Sequence, residues 1–270
     1  MTPPRNILRV FPRRTRATPD DGIVGLPSFW DEADEVHISV TFTEDRSKAE
    51  QLALEWQQVA PVKIGGPAYD DPGSDFTPGM YVKQGYVITS RGCPNYCWFC
   101  DAWKREGNTV RELRIHDGWN ILDSNLLACS DEHVRKVFAM LKRQPRKAEF
   151  SGGLEAKRLK PWHVQELSQL KPEQLFFAYD TPDDLDPLNQ AGKLLRAAGW
   201  SATSHRLRCY VLVGYRGDTQ ENAWQRMKTA RKLGFWPMGM LYKDRKGRVA
   251  EGWKPKPFAD VHEISKRLGK

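Results

Sequence analysis

From residue 80 to residue 245, short apolar runs alternate with amphipathic stretches, and the alternation predicts strand, helix, strand, helix. Tyr81–Thr89 reads as a first strand and Trp119–Leu122 as a second. Ala148–Ser151, Gln174–Tyr179, Leu207–Val213 and Phe235–Tyr242 supply four more. Between them, Ser130–Arg143 sets Val134, Val137, Phe138 and Leu141 at helical spacing, and helices are expected near 161–170, 185–198 and 219–233. Regular alternation of this kind argues for a parallel sheet covered by helices. Six such units are too few to close an eight-stranded barrel.

The first 79 residues carry a different rhythm. Arg9-Val-Phe-Pro-Arg-Arg-Thr reads as a strand entering a basic loop, and Val36–Phe42 alternates as a strand. Asp45–Val59 follows as a helix with Ala49, Leu52, Leu54 and Trp56 as its apolar face, and Pro61–Gly66 returns as a strand ending in glycines. This is one βαβ unit, and the Gly/Pro/Asp-rich stretch 67–78 reads as its linker to the next domain. The expected organisation is a small N-terminal α/β extension over 1–79, a core over 80–245 and a basic C-terminal extension over 246–270.

Composition supports a sizeable core: 40% of residues are hydrophobic, and 11% are aromatic. No apolar run is long enough to span a bilayer, and Met1-Thr-Pro-Pro-Arg5 lacks the apolar stretch of a signal peptide, so a reducing cytoplasm is the expected compartment and no membrane partner is expected. The net charge is +8, but residues 1–20 carry +4 of it and residues 241–270 carry +5, leaving −1 for the body. Basic ends of this sort can track the phosphates of a nucleic acid or an acidic protein, or act as solvated tails.

The chemistry is concentrated in Cys93-Pro-Asn-Tyr-Cys97-Trp-Phe-Cys100, with no fourth cysteine nearby. Three thiolates on one tight loop can hold three corners of a four-iron cluster and leave the fourth iron open for chemistry. The competing account is structural zinc, which usually takes four ligands; after the single C-x2-C pair the next donors, His116 and Cys129, lie well downstream. That account leads to a non-catalytic metal-stabilised module binding nucleic acid or protein through its basic ends. Cys129 and Cys209 lie in apolar segments and read as buried thiols rather than disulfide partners.

The segment from Ile88 to Cys100 closely resembles the cluster loop of radical S-adenosylmethionine enzymes, C-x3-C-x-(aromatic)-C, with Phe99 as the aromatic. The resemblance covers roughly residues 80–245 and implies a partial (βα)6 TIM-like barrel. It implies a [4Fe–4S] cluster on Cys93, Cys97 and Cys100, with S-adenosylmethionine chelated at the open iron. One electron, from a flavodoxin- or ferredoxin-like donor, would split that cofactor to a 5′-deoxyadenosyl radical that abstracts hydrogen from a substrate.

In parallel barrels, working residues come from the carboxyl ends of strands. After the second strand, Asn125 in Asp123-Ser-Asn125 corresponds to the family's D-x-N segment, whose polar side chains face the cavity. After the third, Gly152 and Gly153 resemble the GGE motif that meets the cofactor's ammonium group, although Leu154 separates them from Glu155. After the fourth, Asp180 is placed to take the ribose hydroxyls. After the fifth, Gly214 belongs to a segment like G-x-P-G-E, where backbone passes the adenine. Arg91 and Lys83 flank the cluster loop and are candidates to balance its charge, and Trp98 to shield it. Cys209 and Cys129 are the candidates for a radical relay or methyl acceptor. The segment 251–257 is a candidate for closing over the site or binding a partner. Many relatives also carry an N-terminal cobalamin domain whose D-x-H-x-x-G loop gives cobalt its histidine. Here Glu35-Val-His37-Ile-Ser-Val40 changes both flanking motif residues, so a shortened unit without cobalamin and a structural His37 are expected.

Overall fold

The computed structural model describes residues 6–71, 75–244 and 246–253. The described residues form two parallel sheets with separate cores and a small antiparallel pair. The first sheet contains β1 (Ile7–Phe11), β2 (Ile23–Val24), β3 (Glu35–Ser39) and β4 (Val62–Gly65), in the order β2-β1-β3-β4. Sequence pattern anticipated β3, β4 and a strand near Arg9, but not β2, whose two residues are too few to show alternation.

Helix α1 (Arg46–Trp56) covers this sheet and buries Ala49, Leu52, Ala53 and Trp56. Those positions recur at i, i+3, i+4 and i+7, one face of a helix. Leu54, expected on that face, stands outside the pattern and is exposed.

The second sheet holds six strands, all parallel and hydrogen-bonded in chain order: β5 (Tyr86–Val87), β8 (Asn120–Ile121), β9 (Glu149–Phe150), β10 (Gln174–Ala178), β11 (Leu207–Val213) and β12 (Trp236–Leu241). Its end strands, β5 and β12, do not pair, so the barrel is open. The long strand expected over Tyr81–Thr89 shrinks to β5. Beyond it the chain leaves the sheet as β6 (Ser90–Arg91), which pairs antiparallel with β7 (Arg111–Glu112). Between β6 and β7 lie the three cysteines and a one-turn helix, α2 (Ala102–Glu106).

Helices α3 (Asp131–Lys142), α4 (Pro161–Leu170), α5 (Leu185–Ala197) and α6 (Gln220–Lys232) lie close to the expected ranges. Ser130 caps α3 by accepting from the His133 amide, and Thr219 caps α6 by accepting from the Asn222 amide. The core of this unit joins Val134, Val137, Phe138 and Leu141 of α3 to Phe150, Leu175, Phe177, Cys209 and Val211 of the sheet. Alternate residues of β10 and β11 therefore face the helices, and the intervening ones line the barrel interior.

The two units are tied by side chains rather than by a shared core. Tyr81 meets His37 Nδ1 at 2.6 Å, Arg9 donates to the Gly79 carbonyl at 2.7 Å, and Lys243 pairs with Glu44 at 2.8 Å. Residues 72–74, within the expected linker, and 254–270, most of the expected C-terminal extension, lie outside the described residues.

Candidate active site

The cysteine loop is fastened at both ends by one carboxylate. Glu106, at the end of α2, accepts from Arg91 Nη1 at 3.1 Å, from the Gly92 amide at 3.0 Å and from Ser124 Oγ at 2.8 Å. Within the loop, Cys100 N–H donates to the Cys97 carbonyl, the Ala102 amide approaches Cys100 Sγ at 3.5 Å, and Trp103 Nε1 donates to the Cys97 carbonyl. Cys93, Cys97 and Cys100 are all free thiols, half-buried together. Burial, followed by repulsion from Cys100 and Cys93, lifts the Cys97 thiol to about 11, and burial likewise raises Cys100. Thiols held back from ionising at Cys97 and Cys100 favour a soft cation as occupant, because a metal offsets both burial and repulsion.

The end of β8 reaches this loop with three consecutive side chains. Asp123, 1% exposed, accepts from the Thr89 amide at 2.6 Å and from the Thr89 and Ser90 hydroxyls at 2.7 and 2.6 Å. Ser124 holds Glu106 as described, and Asn125 donates through Nδ2 to Glu155 at 2.7 Å and toward Cys93 Sγ at 3.6 Å. Asn125 is 5% exposed, and its Oδ1 is buried with no partner. An acceptor left open at this depth favours a donor-bearing ligand beside the cysteines. The expected motif residue Asn125 thus meets Cys93, and Asp123 of the same segment, with Glu106, which sequence reasoning missed, sets the loop's position. The D-x-N spacing signalled Asp123; Glu106 had no signal beyond its place six residues after Cys100.

The remaining candidates divide. Glu155 joins the group, held between Asn125 and Arg158 Nε at 2.6 Å. Gly152 lies against the backbone of Leu122 and Asp123, so a Cβ there would strike the Asp123 carbonyl; Gly153 takes φ +88°. The glycine pair therefore lets the ends of β8 and β9 approach each other. Asp180 is held by the sheet rather than by the cysteine loop. Its Oδ1 accepts from the Leu212 amide at 3.0 Å, and burial and then the Asp184 charge raise it to about 7. The charges of both carboxylates also help raise the Cys97 thiol. At Gly214, φ is +74° and a Cβ would meet Leu241 and Trp253 at 2.6 and 2.9 Å. Asp218, fully buried, fixes this turn by accepting from the Gly214 amide at 2.9 Å and pairing with Arg226.

Phe99 packs edge-on against Trp98 at 5.3 Å, and Trp98 continues to Tyr215 and Tyr242 at 5.5 and 5.6 Å. These rings bridge the cysteine loop to the ends of β11 and β12, although Trp98 itself remains 54% exposed. Two expectations fail here. Arg91 spends its charge on Glu106, and Lys83 reaches Asp20 at 2.7 Å. Cys209 faces the helices, fully buried, with its thiol pushed well up, which removes it from the barrel interior. Cys129 comes within 4.8 Å of Asp123 and His133, but the Thr89 amide already occupies Asp123 Oδ1 and the Thr89 and Ser90 hydroxyls its Oδ2.

In the N-terminal sheet, His37 uses Nδ1 for Tyr81 and Nε2 for Glu35 at 3.0 Å. The cavity at the carboxyl ends of β1 and β3, lined by Phe11, Arg13, Phe42 and Tyr81 among others, measures about 40 Å³.

No protein-family model matches the chain, and no curated protein matches it. Among solved structures it is similar to the radical S-adenosylmethionine methyltransferase TsrM from Kitasatospora setae, determined with cobalamin and a [4Fe–4S] cluster bound. The TM-score is 0.62 at 11% identity, over 88% of this chain and 75% of that one. The chain therefore has the partial-barrel α/β fold of a radical S-adenosylmethionine enzyme.

Proposed function

We propose that the chain is a radical S-adenosylmethionine enzyme in which Cys93, Cys97 and Cys100 hold a [4Fe–4S] cluster. The observation that carries this reading is the convergence of three free thiols, in C-x3-C-x2-C spacing, with the open Oδ1 of Asn125 at the carboxyl edge of a six-stranded partial barrel. When bound, the reduced cluster supplies the electron that splits S-adenosylmethionine into methionine and a 5′-deoxyadenosyl radical.

This chain's residues position and shelter that chemistry. Glu106 ties the two ends of the cysteine loop together, and Asp123 fixes the chain entering it. Asn125 Oδ1 accepts from the cofactor's ammonium group, while Glu155 holds the amide in orientation. Asp180 receives the ribose hydroxyls beside its bond to Leu212, and the turn at Gly214, held by Asp218, passes the adenine. Phe99 and Trp98 cover the loop on the β11–β12 side.

Cobalamin has no part in the reading. His37 has both ring nitrogens engaged, and a 40 Å³ cavity holds about one water, far from a corrin.

Anaerobic reconstitution with iron and sulfide, reduction with S-adenosylmethionine, and chromatography for 5′-deoxyadenosine test the proposal. Product in wild type and none in Cys97→Ala is the expected result. Zinc in place of iron, with no deoxyadenosine, would replace it with the metal-stabilised binding module.

A further inference from the structure

The barrel interior contains an arginine that the cysteine chemistry does not use. Register places Phe176, Arg208 and Trp236 side by side across β10, β11 and β12, and Ala178, Tyr210 and Met238 in the row above. Their neighbours Phe177, Cys209 and Val211 pack against the helices, so Arg208 and Tyr210 face the interior. Asp180 and Leu212 form the row nearest the strand ends, about 13 Å along the strand from Arg208.

Arg208 is half-buried and has no ion-pair partner among the described residues. Its Nη1 reaches only the Met238 sulfur at 3.5 Å, and its Cζ stands 5.8 Å from the Phe176 ring centroid. Its Nε is buried with no partner. Phe176 and Tyr210 stack at 4.9 Å beside it and present an apolar wall. Arg91 and Arg226 also leave Nε buried without a partner, but each has an anion, Glu106 and Asp218 respectively; Arg208 has none. A thioether is a weak acceptor and a ring face a weak counter-charge, so the buried Nε edge of the guanidinium has lost water without gaining an anion. Its planar fork suits the two oxygens of a carboxylate or phosphate.

We propose that Arg208 is the substrate-binding cation of this barrel, and that the substrate carries a carboxylate or phosphate group seated against Arg208, Tyr210 and Phe176. That anchoring leaves the rest of the substrate directed toward the row of Asp180 and the cysteine loop. The assignment of the anion to the substrate rests on the radical-enzyme reading; the anion site itself rests on the geometry of β10–β12.

Isothermal titration of the reconstituted protein with inorganic phosphate and, separately, with succinate tests it. Wild type is expected to bind at least one anion, with Arg208→Gln weakening it about tenfold and Arg208→Lys less, as a point charge replaces a fork. Arg216→Gln, a control in the loop after β11, should leave binding unchanged. Tighter phosphate than succinate identifies a phosphorylated substrate, and the reverse a carboxylate. Equal binding by Arg208→Gln and wild type, at unchanged iron content, would overturn the site, as would no binding of either anion by wild type. Displacement of the anion by S-adenosylmethionine would give Arg208 to the cofactor and overturn the substrate assignment. If wild type makes no 5′-deoxyadenosine, the radical reading fails, while the titration still decides whether Arg208 binds an anion.

Discussion

Two carboxyl edges of parallel strands occur in this chain, and they are finished in opposite ways. At the edge of β1 and β3, the chain fills its own crevice. Arg13 pairs with Asp45 at 2.6 Å and Glu44 at 3.3 Å and lies over the Phe42 ring, and His37 is held at both nitrogens. At the edge of β8 to β11, the chain gathers groups it does not satisfy: three free thiols, the Asn125 Oδ1 and, deeper, the guanidinium of Arg208. Both edges occupy the place where open α/β sheets bind ligands. Topology therefore says where a ligand would go, and only unfinished polar partners say where one does. The filled edge braces the barrel through Tyr81 and Lys243.

The largest expected effect lies at the open edge. Cys97→Ala should lower iron content by at least half and 5′-deoxyadenosine by more than about 100-fold, since the radical cannot form without the cluster. The thermal midpoint of the apo-protein should move by no more than about 2 °C, because the barrel core lies behind the loop in Val87, Ile121, Phe150 and Leu175. Iron analysis, product chromatography and a melt check it. A collapse of the fold in Cys97→Ala would make the cysteines structural and erase the contrast between the edges.

Next comes the Asp218–Arg226 pair beneath the Gly214 turn. Asp218 is fully buried and Arg226 nearly so, with Nη2 at 2.8 Å. Asp218→Asn leaves a buried cation half-matched and should cost about 3 kcal/mol, a fall in Tm of roughly 10 °C. Calorimetry reads the midpoint, and S-adenosylmethionine binding should weaken in the same variant because one remaining oxygen must serve both the Gly214 amide and Arg226.

Asp123 gives a pH signature. Burial raises its folded-state value to about 6 from the usual 3.8. Between those values the folded chain keeps a proton that the unfolded chain has released, so stability is complete below about pH 4 and falls as pH rises through about 6. The total is about 2–3 kcal/mol. Asp123→Asn removes this slope, and the difference between the two urea midpoints across pH 4–7 reads it. Parallel curves would show that Asp123 is ionised throughout.

How far the sequence announced all this differs by level. The three long barrel strands were legible because Leu207–Val213 and its counterparts are apolar runs, and the two-residue β5, β8 and β9 were placed by the apolar runs around them and by helices with clear caps at Ser130 and Thr219. The cysteine loop was legible from spacing alone. The anchors were not. Glu106 acts through three partners brought together only by the β6–β7 excursion, and β6 and β7 are two-residue strands without periodicity. Arg208 sits in a run, Leu207-Arg-Cys-Tyr-Val-Leu-Val213, that any strand would display; its lack of an anion is a fact of packing, not of pattern.

The smallest expected effect tests the filled edge. His37→Ala deletes the contacts with Tyr81 and Glu35, each worth about 1 kcal/mol at most for partly exposed groups. Glu35 keeps Lys63 as a partner, so its carboxylate is not stranded. The expected outcome is a loss of about 1–2 kcal/mol, no change in iron content, and deoxyadenosine formation within about twofold of wild type. Hydroxocobalamin added to wild type should show no His37-dependent change in its absorption bands, because the imidazole has no nitrogen free for cobalt. A band shift in wild type that His37→Ala abolishes would turn the filled edge into a second ligand site. The comparison would then fail at its closed end, since a crevice that opens to admit a corrin is not finished by its own side chains.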